Sequence, residues 1–265
     1  MSDFSSIARI YRQTATAQKS AAERLFWMLR VERTDDVLDL GCGTGHLAQE
    51  IRQLTDGRVV GIDPSPEMIA LAREAAPDGI EFVTGGVEDL GMTEQFDAVF
   101  CNSAFQWFTD QPRALANCLA ALRRGGRMVM QAPARHDYGP SFIRAVDTLA
   151  GDPRTAGTWS HFRTPWTFYE TAEDYERLFA DSGFVLAGGE IEEVREHCTP
   201  GRALDMFDSG AAAGYLNPAC YDVPLPDDYV AAARDLILAD LTAQADDRGL
   251  VEVLFYRVYV LARKR

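Results

Sequence analysis

The segment Val37-Leu38-Asp39-Leu40-Gly41-Cys42-Gly43-Thr44-Gly45 closes a short apolar run with an acid and then places glycines at alternate positions. That order predicts a buried strand, a tight turn and a helix opening near Thr44. Glycine there lets backbone approach a ligand closely, because it has no Cβ and tolerates positive φ. A second apolar run, Val59-Val60-Gly61-Ile62, ends in Asp63. An acid at the tip of a second strand is placed to accept from the hydroxyls of a ribose. The chemistry expected is recognition of a nucleoside or nucleotide. An ordinary strand-to-helix turn and a nicotinamide site are the alternatives. The dinucleotide spacing G-x-G-x-x-G fits Gly41 and Gly43 but puts His46 in its third place.

Three later segments narrow the ligand. In Asp63-Pro64-Ser65-Pro66-Glu67-Met68, Ser65 suits a helix N-cap, Pro66 the first helical position and Glu67 the positive end of the helix. Ile80-Glu81-Phe82-Val83-Thr84 reads as a third strand and runs into Gly85-Gly86-Val87-Glu88-Asp89-Leu90. Phe96 to Cys101 reads as a fourth strand, followed by Asn102-Ser103-Ala104-Phe105-Gln106-Trp107; Gly125-Gly126 then turns into a fifth strand.

Taken in this order over residues 35–133, these motifs resemble the class I S-adenosylmethionine-dependent methyltransferases. The resemblance implies a loop of Asp39, Gly41, Cys42, Gly43 and Gly45 around the cofactor, which is S-adenosylmethionine with S-adenosylhomocysteine as product. It implies that Asp63 and Pro64 lie at the ribose, with both hydroxyls held by the acid, and that Met68 packs on the adenine. It implies that the Val87 N–H meets an adenine ring nitrogen and that the Asn102 backbone carbonyl accepts from the methionine ammonium. The family's acid for the adenine amino group falls on Gly86 here, a departure. Glu88 or Asp89 is the substitute, unless both only cap the next short helix. No metal is implied.

Composition sets further bounds. The formal net charge is −14, with only two lysines, Lys19 and Lys264. Such a chain is a poor partner for nucleic acid or an anionic membrane, and a small-molecule substrate is expected. The five cysteines contain no C-x-x-C pair and are odd in number, so no disulfide framework or zinc site is expected. The first residues lack the basic flank and apolar core of a signal peptide, no long uncharged apolar run stands out, and a cytoplasmic location is the expectation. Nothing in the sequence sets the oligomeric state.

The elements that must position these groups alternate: strand 36–40, helix 44–54, strand 58–63, helix 66–75, strand 80–84, strand 96–101, helix 111–122 and strand 127–133. That rhythm predicts an α/β, doubly wound parallel sheet with its ligand at the carboxyl ends of the strands. The resemblance extends this to a Rossmann-like seven-stranded sheet whose last strand, 251–262, is antiparallel. Residues 1–31 follow helical spacing and form either a lid over the cofactor or a helix packed on the sheet. The core is expected over 32–196 and 250–265, with an aromatic-rich insert at 134–171. The segment 197–249 is too long for a plain loop and is expected to be a helical cap. Thr171-Ala172-Glu173-Asp174 opens a helix that Gly183 ends.

On the acceptor side, Gln106 and Trp107 are expected to face the substrate, with Tyr11, Gln18, Trp159 and Trp166 as further lining. Arg135, Arg144, Arg154, His161 and Arg163 are candidates for an anionic acceptor, Arg135 foremost. His136 is the candidate general base, needed only if the acceptor must lose a proton. The run Asn102-Ser103-Ala104-Phe105-Gln106-Trp107 resembles the trans-aconitate and malonyl-carrier-protein methyltransferases, and juvenile-hormone-acid methyltransferases are similar. The ending Phe255-Tyr256-Arg257-Val258-Tyr259-Val260 is of that general type. This group makes carboxyl methyl esters, so a carboxylate acceptor is the implication. The competing readings are C- or O-methylation of a secondary metabolite, a nicotinamide-dependent oxidoreductase and a non-catalytic cofactor-binding module.

Overall fold

The computed structural model describes residues 16–76 and 78–265, with side chains from Ala21 onward. In chain order the main elements are α1 (Thr16–Leu29), β1 (Val37–Leu40), α2 (His46–Leu54), β2 (Val59–Asp63), α3 (Pro66–Ala75), β3 (Ile80–Thr84), β4 (Phe96–Asn102), α4 (Gln111–Ala121) and β5 (Leu122–Pro133). They continue with α5 (Pro140–Asp147), α6 (Ala172–Asp181), β6 (Val185–Cys198), α7 (Pro200–Asp208), α8 (Tyr229–Ala243) and β7 (Val251–Arg263). Short helical turns join several of them.

The strands form one seven-stranded sheet in the order β3-β2-β1-β4-β5-β7-β6. β1 runs parallel to β2 and β4, and β5 runs parallel to β4 but antiparallel to β7. The order reverses beside β1, so the carboxyl ends of β1 and β4 flank the crevice where such sheets take ligands.

Two compact units divide the chain. One is built from Gln18–His136, Thr167–Glu192 and Arg257–Arg265, the other from Asp137–Trp166 and Glu193–Tyr256. In the sheet unit, one face is covered by α1 and α2: Ala21, Ala22, Leu25, Leu29, Leu47 and Ile51 pack on Val37, Phe100, Val129 and Tyr259. Phe26 stacks on Phe100 with centroids 4.9 Å apart. The other face buries Leu38, Val99, Met128 and Val260 against Leu115, Cys118 and Phe179. The described part of α1 is thus a helix packed on the sheet.

The second unit has its own aromatic core. Phe142 of α5 meets Phe207 of α7 at 5.6 Å and Phe255 at 5.4 Å, both edge-on. Arg234 of α8 donates to Asp208 of α7 at 2.5 Å. Residues 167–171, expected in the insert, pack with the sheet: the Thr167 N–H donates to the Gln106 carbonyl at 3.1 Å and the Arg135 N–H to the Tyr169 carbonyl at 2.9 Å.

Several boundaries shift for local reasons. The first crossover helix begins at His46, because Gly45 sits at φ 76° and ψ 11°, outside the helical basin, and becomes its N-cap. β5 starts at Leu122, since Leu122 pairs with Phe96 across a register shift. Its Gly125 and Gly126 also exchange bonds with Lys264 beyond β7. The Thr171 hydroxyl does cap α6, accepting from the Asp174 N–H at 3.2 Å. Gly183 follows that helix at φ 95°.

Candidate functional site

Strand β1 delivers the glycine loop to the carboxyl edge, where all three glycines take positive φ: 68° at Gly41, 54° at Gly43 and 76° at Gly45. Their reasons differ. A Cβ on Gly41 would lie 2.3 Å from that of Ala104, and one on Gly45 would lie 2.7 Å from the Phe82 ring. Gly43 faces open space, with nothing within 4 Å of its missing Cβ. Gly41 and Gly45 therefore serve packing, and Gly43 is the place where a ligand has access to bare backbone.

Asp63 ends β2 beside this loop. Its Oδ2 accepts from the Gly43 N–H at 3.0 Å and its Oδ1 from the Ser65 N–H at 2.9 Å. Burial pushes its pKa up, against the pull of those two donors. A carboxylate has about four acceptor positions, so each oxygen keeps capacity for a hydroxyl. Ser65 in turn caps α3, accepting from the Met68 N–H at 3.2 Å, with Pro66 in the first turn.

Asp39 and Asn102 stand beside the loop on β1 and β4. Asp39 is 2 % exposed and Asn102 9 %. Neither Asp39 Oδ2 nor Asn102 Oδ1 meets a donor among the described residues. An acceptor buried without a donor costs about 1–3 kcal/mol. Burial, with the Asp63 charge adding to it, pushes the Asp39 carboxyl up to about 7. Orphaned acceptors at the mouth of a glycine cradle fit a cationic ligand rich in N–H donors. The methionine moiety of S-adenosylmethionine carries such an ammonium, so the residues present suit that cofactor.

The turn after β3 is held from α4: Asn117 donates to the Val87 and Glu88 carbonyls at 2.9 and 2.7 Å. Glu88 Oε1 accepts from the Thr109 N–H at 2.9 Å and its hydroxyl at 3.1 Å. Burial raises the pKa of Glu88, but the N–H groups of Glu88, Thr109 and Asp110 and the Thr109 hydroxyl outweigh it and hold the carboxyl low. Its Oε2 lies 3.2 Å from where a Gly86 Cβ would stand. Asp89 pairs instead with Arg113 at 2.8 Å.

The acceptor-side expectations need correction. Gln106 is 6 % exposed and turns inward, donating to the Ser103 carbonyl at 3.0 Å. The cause is Ser103, whose φ of 57° swings that carbonyl back. Ser103 is anchored to Gln131 through both its N–H and its hydroxyl, each at 2.9 Å. Trp107 follows in the same turn, partly exposed, its N–H on the Ala104 carbonyl. His136 is not placed as a buried base: its side chain is 83 % exposed and its Nδ1 lies against the Glu170 carboxylate. Arg135 takes φ 69° beside it. Arg144, Arg154 and Arg163 are paired with Asp240, Asp152 and Asp222.

Trp159 and Trp166 belong to the aromatic cluster of the second unit. Trp159 stacks on Phe162 at 4.9 Å, and Trp166 meets Tyr215 edge-on at 5.0 Å in room left by Gly214. Tyr11 lies outside the described residues, as does the side chain of Gln18. All five cysteines are buried and free, and burial raises the Cys42 thiol well above its usual range, which rules out an activated thiolate there. No helix among the described residues is long and apolar enough to cross a membrane. Gln131 and Arg257, 2 % and 7 % exposed, are buried polar groups that no sequence motif marks. The one available signal was a charge inside the apolar run Val251–Ala262.

Comparison with known proteins bears on this site. Residues 38–130 match the methyltransferase domain family. The chain is 35% identical over 129 residues to the trans-aconitate 2-methyltransferase of Deinococcus radiodurans, covering 48% of this chain and about half, 49%, of that protein. It is 32% identical over 240 residues to the trans-aconitate 2-methyltransferase of Mycobacterium sp. strain KMS, covering 86% and 87%. It is 29% identical over 188 residues to malonyl-[acyl-carrier protein] O-methyltransferase 1 of Ilyobacter polytropus, covering 69% of each. Among solved structures, the YcgJ protein of Bacillus subtilis superposes with a TM-score of 0.61 at 17% identity, over 93% of this chain and 99% of that one, a likeness of fold. Likeness to a relative along almost its whole length, on a sheet of this order, makes the chain a member of the S-adenosylmethionine-dependent methyltransferases and an enzyme that uses that cofactor.

Proposed function

We propose that this enzyme transfers a methyl group to a carboxylate of a small molecule, forming a methyl ester. S-adenosylmethionine, when bound, supplies an electrophilic methyl on sulfur. The chain's part is to hold, align and desolvate, and alignment alone is worth about 7–11 kcal/mol in favourable cases. Asp63 holds the ribose hydroxyls with its remaining lone pairs. Asp39 and Asn102 accept from the ammonium. Gly41, Cys42, Gly43 and Gly45 give the backbone cradle, and Pro64, Met68, Val87 and Glu88 border the base.

The observation that carries the carboxylate reading is the makeup of the buried polar groups at the carboxyl ends. They include Asp39, Thr44, Asn102, Gln106 and Gln131, with Arg257 of β7 beside them; among the described residues no lysine or histidine is fully buried there, His46 at the start of α2 being half-buried. A carboxylate is already a nucleophile at neutral pH and needs no base, whereas an alcohol or carbon acid does. Two of the relatives are named for acceptors that carry carboxylates.

The test is a transfer assay with radiolabelled S-adenosylmethionine against trans-aconitate, a malonyl thioester, octanoate, a phenol and an amine. Label that alkali releases as methanol is expected from at least one acid. Alkali-stable label on the phenol or amine alone would overturn the reading. So would loss of ester formation in His136→Ala.

A further inference from the structure

We infer that Arg257 is the residue that binds the acceptor's carboxylate and so selects anionic substrates; the inference deepens the ester-forming reading and rests on it. Among the described residues Arg257 is the one arginine or lysine that is buried, at 7 % exposure. Sinking a guanidinium costs several kcal/mol of desolvation, and here it interrupts a strand that is otherwise mostly apolar.

Strand register fixes where it stands. Arg257 pairs with Pro133, the last residue of β5, and Tyr259 pairs with Gln131. Gln131 pairs with Asn102, and Phe100 with Asp39. Side chains alternate along a strand. Val37, Phe100, Val129 and Tyr259 face the cluster under α1 and α2. Asp39, Asn102, Gln131 and Arg257, each two residues from one of these, therefore project from that same face. All four are buried. They make a polar row at the carboxyl rim of the parallel strands β1, β4 and β5, continued by Arg257 of the antiparallel β7 beside them. The register staggers it: three strand spacings of about 4.8 Å across and four residues of about 3.3 Å along make the row a diagonal of about 20 Å from Asp39 to Arg257.

The row is polarised. Its β1 end holds the acid and the orphaned acceptors suited to the cofactor's ammonium. Its β7 end holds the guanidinium. Between them Gln131 has Oε1 engaged by Ser103, which leaves its amide N–H groups as donors. Tyr259 braces the cation: its hydroxyl meets Arg257, and its ring is clamped by Arg24 at 4.2 Å. A carboxylate entering a chain of net charge −14 meets long-range repulsion. A fixed planar fork with paired N–H donors is the group that offsets it locally and orients the anion.

The experiment is calorimetry on protein saturated with S-adenosylhomocysteine, titrated with trans-aconitate, monomethyl malonate and octanoate, and with the fully esterified form of each. Wild type is expected to bind at least one acid about tenfold or more tightly than its ester. Arg257→Gln should abolish that preference while S-adenosylhomocysteine affinity stays within about twofold, which reports an intact fold. Arg257→Lys, which keeps charge but loses the fork, should retain part of it. An acid preference that survives in Arg257→Gln, or is absent from wild type for all three acids, overturns the assignment. An acid preference that depends on Arg257 without any alkali-labile methyl product would overturn ester formation and leave the anion site standing. Ester formation with an unchanged KM in Arg257→Gln would do the reverse.

Discussion

Asp63 accepts the backbone N–H of Gly43 at 3.0 Å, so the acid that ends β2 and the central glycine of the β1 turn form one unit. The contact crosses between adjacent strand ends. It fixes the carboxylate beside Gly43, the one of the three glycines 41, 43 and 45 that faces open space. On the proposed reading, ligand recognition and loop conformation depend on the same charge.

That coupling predicts the effect of removing it. Asp63→Ala should weaken S-adenosylhomocysteine binding by roughly 10–100-fold, since hydrogen bonds to a charged group contribute about 1.5–3 kcal/mol. Calorimetry measures it directly. Unchanged affinity would remove the carboxylate from the site.

The glycines should separate by experiment. Gly41→Ala forces a carbon into Ala104, so it should lower the melting temperature of the protein without cofactor. Gly43→Ala meets no atom within 4 Å. Its stability cost is only that of a positive φ, about 1 kcal/mol, yet the new methyl stands in the ligand's path. Gly43→Ala should thus nearly keep its melting temperature and lose affinity, while Gly41→Ala loses stability first. The reverse pattern would mean that Gly43 does not face the ligand.

Much of this was legible in the sequence. The apolar runs ending in Asp39 and Asp63 set two strands, and Ser65-Pro66 set the start of α3 to the residue. What was not legible depends on backbone torsion or on partners far along the chain. Gln106 looks like a substrate-facing amide until the left-handed turn at Ser103 brings a carbonyl under it. Helix α2 starts late because Gly45 is left-handed, a conformation that closes the loop through the Gly45 N–H on the Cys42 carbonyl and leaves no room for a Cβ beside Phe82. Arg257 reads as one charge in the last, antiparallel strand. Its setting appears only when β7 lies against β5, and through it Gln131 and Asn102.

Asp39 predicts a pH dependence. Its folded pKa is raised from 3.8 to about 7 by burial and by Asp63. Its ionisation is therefore disfavoured by folding, and stability of the cofactor-free protein falls as pH rises from 3.8 through 7. Asp39→Asn should remove that loss and flatten the melting profile between about pH 4 and 7. Binding has the opposite sign, because the ammonium prefers the ionised acid. S-adenosylhomocysteine affinity should rise with pH up to about 7 and level off above it, with proton release detectable in buffers of different ionisation enthalpy. An affinity profile in Asp39→Asn as steep as in wild type would exclude Asp39 as the titrating group.

The missing acid at position 86 has a structural counterpart. Glu88 Oε2 lies 3.2 Å from the space a side chain at Gly86 would enter, while its Oε1 is tied to Thr109. A carboxylate at 86 would crowd the carboxylate of Glu88 and repel it. Glu88→Ala should weaken S-adenosylhomocysteine about tenfold but leave affinity for the analogue without the purine amino group unchanged. Gly86→Asp alone should lower stability, since it sets two carboxylates together. The double variant Gly86→Asp/Glu88→Ala should recover both stability and discrimination for the amino group, because one acid then occupies the position. Calorimetry with the two nucleosides decides it: an equal loss for both in Glu88→Ala means that Glu88 only shapes the turn and does not read the base.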